Sequence, residues 1–281
     1  MGGGNGKGKG KAPGKRLPVE EITPHNPGAR LSLRAELGGV YAVWWREIKV
    51  FQREKSRVVS SIISPIMWLF LFGGGVGSSV SMGQTDYQNF IYPGVLCMSV
   101  LFGSVFFGLY IVWDKKLDVL KAVLVAPVSR VSIFFGKVLG GCTDVMIQAL
   151  LLSCFALLFP AVNLWMIPVA LCFLFVTSVA MVSMGLAIGS MFESLEGFQV
   201  ISTFLVFPLF FSSGALYPVS DKLPGWLLGV VRLNPLTYSV DGVRGVLIGQ
   251  NSFPLLADFG AILFFATLMI LLGSWLFSRM K

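Results

Sequence analysis

Six apolar runs, at about 58–77, 89–113, 131–159, 165–192, 197–213 and 253–277, dominate this sequence. Each is close to the ~20 residues that carry a helix across a bilayer. A chain so built has few choices, because in hydrocarbon every backbone N–H and C=O must be satisfied within the fold, and for runs of this length that means helix. Composition agrees. Hydrophobic residues make up 55% and charged residues 13%, with a mean hydropathy of +0.77, where a soluble domain has roughly 25% charged residues to cover its surface. The predicted class is an all-α membrane protein with six transmembrane helices. The fifth run is short and carries Pro208 midway, which predicts a kink.

Charge sets the predicted orientation. With both termini cytoplasmic, the inner pieces carry nineteen of the 22 Lys and Arg, leaving Lys222, Arg232 and Arg244 outside. That is the positive-inside asymmetry of a multi-pass protein of the cell membrane. Residues 1–30, rich in Gly, Lys and Pro, predict a disordered basic tail that touches anionic lipid. No apolar core follows its early lysines, so no cleaved leader is expected. Gly3 to Lys9 approaches a phosphate-binding loop, but Gly10 stands where a Ser or Thr must reach magnesium. Residues 31–281 form the predicted membrane domain. It opens with an amphipathic interfacial helix over 31–55, in which Leu33, Leu37, Tyr41, Trp44, Ile48 and Phe51 recur at helical spacing.

Between the second and third runs, five charges fall within eight positions from Asp114. Leu117, Leu120 and Leu124 share one helical face, and Pro127 ends the pattern before Arg130. These charges exclude the lipid core. The segment therefore lies at the water interface or presses its apolar edge into another protein.

Two more stretches depart from plain spans. Residues 212–252 contain two apolar runs too short to cross, which predicts a re-entrant helical hairpin before the last span. Asn234 is placed to cap its second helix, with Pro235 in the first turn and Tyr238 following. Asp241 and Arg244, three apart, can pair on one face. In the third span Lys137, Asp144 and Gln148 share an intramembrane polar face, and Gly136-x-x-x-Gly140 offers a smooth patch for a neighbouring helix. That face either lines a pathway or seam or bonds to a neighbouring span.

Catalytic chemistry has little to stand on. The one histidine, His25, lies in the tail, and Cys97, Cys142, Cys154 and Cys172 lack ligand spacing. No catalytic, metal or cofactor-binding residues are implied, nor any nucleic-acid partner.

Taken in order among six spans, Leu-Val-Ala-Pro-Val-Ser-Arg at 124–130, the inner turn Glu193 to Gln199, Asn-Pro-Leu-Thr-Tyr at 234–238 and Asp-Gly-Val-Arg-Gly at 241–245 resemble the permease subunit of type-2 ABC exporters. The branch is that of daunorubicin-resistance-type and nodulation-type transport permeases, and the likeness covers roughly residues 40–280. One departure is the loop's start, Asp114-Lys115-Lys116 then Asp118-Val119, where members commonly show acidic-basic-acidic and Gly-Thr. The resemblance implies a homodimer docked on separate ABC ATPase subunits that bind ATP and Mg. It makes 114–126 a cytoplasmic coupling helix, with Leu117, Leu120, Leu124, Pro127 and Arg130 at the ATPase contact. The implied activity is outward transport of an amphipathic drug, lipid or glycan. The competing reading is a self-sufficient channel or ion-coupled carrier using Asp144 and Lys137.

Overall fold

The computed structural model describes residues 33–75, 86–117, 128–220 and 223–280, together with Gly2, Gly3 and Gly77. Apart from Gly2 and Gly3, the predicted basic tail lies outside them, as do residues 118–127 of the predicted inner loop. Among the described residues the chain is helical, without strands. Helix α1 spans Leu33–Arg53 and α2 Lys55–Gly75. Tyr87–Phe106 (α3) and Leu109–Lys116 (α4) follow, then α5 over Arg130–Ser153 and α6 over Ile167–Met191. Helix α7 is Leu195–Phe211, α8 Gly225–Leu233, α9 Pro235–Ile248 and α10 Leu255–Ser278. Short 3₁₀ turns extend α5 and precede α6.

Five segments among the described residues are long and apolar enough to cross a membrane: 58–75, 87–116, 130–158, 164–191 and 255–278. The predicted fifth span corresponds to α7, a helix of 17 residues with Pro208 inside it. At 1.5 Å per residue it is about 26 Å long, slightly under the ~30 Å hydrocarbon core.

Helix α6 holds the bundle together, packing against α3, α5, α9 and α10. Its sequence explains why. It carries no charged residue, and Gly185 and Gly189 press directly on the backbone around Gly108. That crossing coincides with a break in the second predicted span. The Gly108 N–H bonds Val105 O at 3.1 Å, three residues back instead of four, a tightened turn where α3 gives way to α4.

Polar contacts sort the helix ends into two sides. On one, Lys115 at the end of α4 reaches the end of α6, and Arg130 at the start of α5 reaches the end of α10. On the other, Tyr87 donates to Leu216 O, the Asn163 N–H donates to Leu247 O, and Asn234 donates to Leu209 O. We call these the loop side and the hairpin side.

Helix α1 packs on the bundle through its smaller side chains and leaves much of its apolar stripe uncovered. Leu33, Leu37, Tyr41 and Trp45 form an exposed stripe, while Gly39, Val43, Glu47 and Phe51 are buried. The reason lies in α5. A side-chain carbon on Gly136 would stand 2.7 Å from Val43 Cβ, and one on Gly140 2.6 Å from Glu47 Cβ. The two glycines seat α1 one turn per glycine. Buried apolar area alone does not choose the register of α1; the glycine seat and a partner for Glu47 do.

Candidate functional site

The site grows out of that seat. Glu47, 4% exposed, faces Lys137, which is 1% exposed on α5. Lys137 Nζ lies 3.0 Å from Glu47 Oε1 and 2.6 Å from Asp114 Oδ2 at the end of α4. Arg46, half-buried on α1, donates to Asp114 Oδ1 at 2.7 Å and to Glu47 Oε1 at 3.2 Å. Two cations and two carboxylates thus neutralise one another across three helices. Isolated, each would be costly to bury; together their attraction offsets the lost hydration. Burial alone would lower the Arg46 pKa, and the Asp114 and Glu47 carboxylates outweigh it, so it is raised.

Both ends of the loop at 118–127 are fastened to this assembly. At the entry, Lys115 Nζ donates to Ser190 O at 2.6 Å, Phe192 O at 3.1 Å and Gly189 O at 3.3 Å. These are the unpaired carbonyls at the C-terminus of α6, where the helix dipole favours a cation. At the exit, Ser129 caps α5 by accepting from the Ser132 N–H. Its hydroxyl donates to Glu36 of α1 at 2.7 Å, and the Ser132 hydroxyl also donates to Glu36. The Ser132 bond first, then that of Ser129, hold the Glu36 carboxyl below the usual range against a smaller opposing effect of burial. Arg130 donates to Ser278 O at 3.1 Å and to Met280 O.

A cavity of about 600 Å³ opens beside the network. Arg46, Glu54 and Asp114 give it a polar wall, and Phe106, Tyr110 and Trp113 an apolar one. Its size suits a single drug-sized molecule.

The predicted residues distribute unevenly over this picture. Leu120, Leu124 and Pro127 fall outside the described residues, while Leu117 ends α4 and is exposed. Lys137, Asp144 and Gln148 are all buried on α5, and Gln148 lines the cavity. Lys137, however, is turned to α1 and α4. Glu47, Arg46, Asp114 and Lys115 are the residues sequence reasoning missed as a site; the register of Gly136 and Gly140 against Val43 and Glu47 was the available signal.

On the hairpin side, Asn234 accepts from the Leu236 N–H at 2.9 Å, capping α9, with Pro235 in its first turn. Its amide donates to Leu209 O at 2.6 Å and Ser212 Oγ at 2.9 Å, tying the hairpin to the end of α7. Tyr238 donates to Arg232 O at 2.7 Å, closing the elbow between α8 and α9. Asp241 and Arg244 do not pair as expected, because backbone groups lie in better positions for each. Asp241 accepts from the Ser252 and Phe253 N–H groups at 2.8–2.9 Å. Arg244 donates to Gly214 O at 2.9 Å and Ala215 O at 3.3 Å, its guanidinium 3.8 Å over the Phe90 ring.

Long apolar helices with ionised groups matched inside the bundle define a multi-pass membrane protein. The ABC-2 type transporter family matches residues 39–248, and the chain belongs to that family. It is 30% identical over 234 residues to the inner membrane transport permease YadH of Escherichia coli K12, covering 80% of this chain and 88% of that protein. It is 22% identical over 244 residues to nodulation protein J of Rhizobium leguminosarum bv. viciae, covering 85% and 93% respectively. It is thus a membrane permease of the ABC-2 type.

Proposed function

We propose that this chain is the transmembrane subunit of an ATP-driven exporter, acting as a homodimer on separate ABC ATPase subunits that bind ATP and Mg. The observation that carries the reading is the double anchoring of the inner loop. Its entry is tied through Asp114 and Lys115 to α1, α5 and α6. Its exit is tied through Ser129 and Arg130 to α1 and the end of α10. A push on residues 117–129 would therefore reach the bundle at both ends, which is what a motor in another chain requires. In this reading the segment 114–126 is the coupling helix, its apolar edge Leu117, Leu120 and Leu124 buried against the ATPase.

The rest of the assignment follows. Residues 31–281 make one membrane domain in which α7 completes six crossings, both termini are cytoplasmic, and α8–α9 is a re-entrant hairpin on the outer side. The basic residues of 1–30 touch anionic lipid. The cargo is amphipathic, of drug, lipid or glycan type, in keeping with the mixed walls of the cavity. Against the carrier alternative, which would use Asp144 and Lys137, stands the matching of Lys137 by Glu47 and Asp114.

The test is Leu120→Ala with Leu124→Ala. Truncating a large residue in a packed interface costs about 2 kcal/mol or more, roughly thirtyfold in affinity. Pull-down of the ATPase should fall and substrate-stimulated hydrolysis in vesicles should vanish, with membrane insertion unchanged. Normal docking and coupling would show the loop to be a connector only.

A further inference from the structure

Asp258 lies in the first turn of α10 on the hairpin side. It is 0% exposed, and neither carboxylate oxygen has a hydrogen-bond partner among the described residues. Two other buried aspartates are satisfied: Asp114 by two cations, Asp241 by two backbone N–H groups. Asp241 makes the problem sharper: it is itself buried, and Gly245 of α9 packs on Leu255 of α10, which sets Asp241, one turn earlier in α9, level with Asp258, one turn later in α10. Two carboxylates that share a dry site cannot both ionise cheaply.

Among the described residues, no cation is offered from the surrounding helices. Helix α6 packs Phe173 on Phe259 and carries no charged residue. The titratable side chains of α5 are Arg130 and Lys137, engaged on the loop side, Asp144 in mid-helix and the buried thiol of Cys142. From α9, Arg244 is turned towards Gly214 and Ala215, and Tyr238 packs on Phe253. The start of α10 does favour negative charge through the helix dipole. That benefit is small beside the lost hydration of an ion, and neither oxygen reaches an N–H.

We propose that Asp258 holds a proton when the hairpin is seated, and that Asp241 and Asp258 together form a proton-operated latch between α9 and α10. Asp241 fixes the turn at Ser252 and Phe253 that leads into α10, so the two acids sit on the two sides of one joint. With Asp258 neutral the joint closes. Release of the proton to water leaves two facing carboxylates, and the joint opens to hydrate them. The latch is thus shut in acid and loosened in alkali. This inference does not depend on which face of the membrane the hairpin occupies, nor on an ATPase partner.

The test uses the full chain in nanodiscs, so that both faces share one pH. Spin labels go on cysteines replacing Leu233 of α8 and Leu256 of α10, both exposed, with Cys154 and Cys172 replaced by Ser. Pulsed electron resonance should give one short distance in acid and a second, longer population that grows with pH. Asp258→Asn, the neutral isostere, should lose the long population at every pH, and Asp258→Leu should do the same if the amide misfolds. Infrared spectra at neutral pH should show a protonated carboxyl band that both variants lose. A distance constant across the pH series would overturn the latch, as would a pH response that persists in both variants. A long population that follows sodium concentration at fixed pH would also overturn it, since the occupant would then be a metal cation.

Discussion

On the loop side of the bundle, charges are matched with charges carried on other helices. Lys137 stands between Glu47 of α1 and Asp114 of α4, and Arg46 reaches both carboxylates. On the hairpin side, Asp241 and Arg244 are matched instead with backbone amides and carbonyls of adjoining turns. The difference bears on motion. Ion pairs between separate helices tie those helices into one unit and carry a displacement from any of them to the rest. Bonds from a side chain to a nearby turn fix the shape of that turn but move little else. The loop side can pass on a displacement between helices, while on the hairpin side each of these bonds fixes a local turn.

The largest expected effect lies on the loop side. Lys137→Met would leave Glu47 and Asp114 buried without their shared cation, at a cost of about 3–5 kcal/mol. Thermal unfolding in detergent should show a large loss of stability, and Lys137→Met with Asp114→Leu should recover part of it. On the hairpin side, Arg244→Met removes the donor from Gly214 O and Ala215 O. A hydrogen bond to a charged group contributes about 1.5–3 kcal/mol. Here the loss should be local: proteolysis near 214–216 should rise while the rate at the inner loop stays unchanged. An equal rise at both places would break the distinction between the two regions.

A third change sharpens the role of the glycine seat. Gly140→Leu would push α1 away from α5, with overpacking costing roughly 1–3 kcal/mol. Cross-linking between cysteines replacing Trp44 and Thr143, which touch across α1 and α5, should fall in that background. The smallest effect concerns Glu36, whose folded pKa is lowered by the Ser132 and Ser129 hydroxyls. A lowered carboxyl contributes stability that is complete above the ordinary glutamate range and lost as pH falls through the folded value. Acid should therefore loosen the start of α1 from Ser129. Glu36→Gln should abolish that step, read as the pH dependence of amide exchange at Ser129.

Much of this was legible in the sequence for a simple reason. Span positions follow from runs of apolar residues, and Asn234-Pro235 announced the start of α9 because caps are local chemistry. The charge network was not legible. Glu47 reads as part of the polar face of α1, and Asp114 reads as part of an inner loop. Only the packing of α1 on Gly136 and Gly140 carries Glu47 to Lys137. Arg244 likewise found carbonyls from residues 214–215, a partnership no spacing rule contains. Long-range pairing depends on tertiary packing, and a single sequence displays its candidates without its choices.

The central claim is that the Arg46–Glu47–Asp114–Lys137 network carries force from the inner loop to the spans. Asp114→Asn tests it most directly, because it keeps the shape while removing one charge next to the loop. Hydrolysis by the ATPase and transport would be measured together in reconstituted vesicles, beside a pull-down for docking. The account predicts intact docking and continued hydrolysis with transport reduced by an order of magnitude or more, a step cut loose from its motor. Transport retained in proportion to hydrolysis would contradict it.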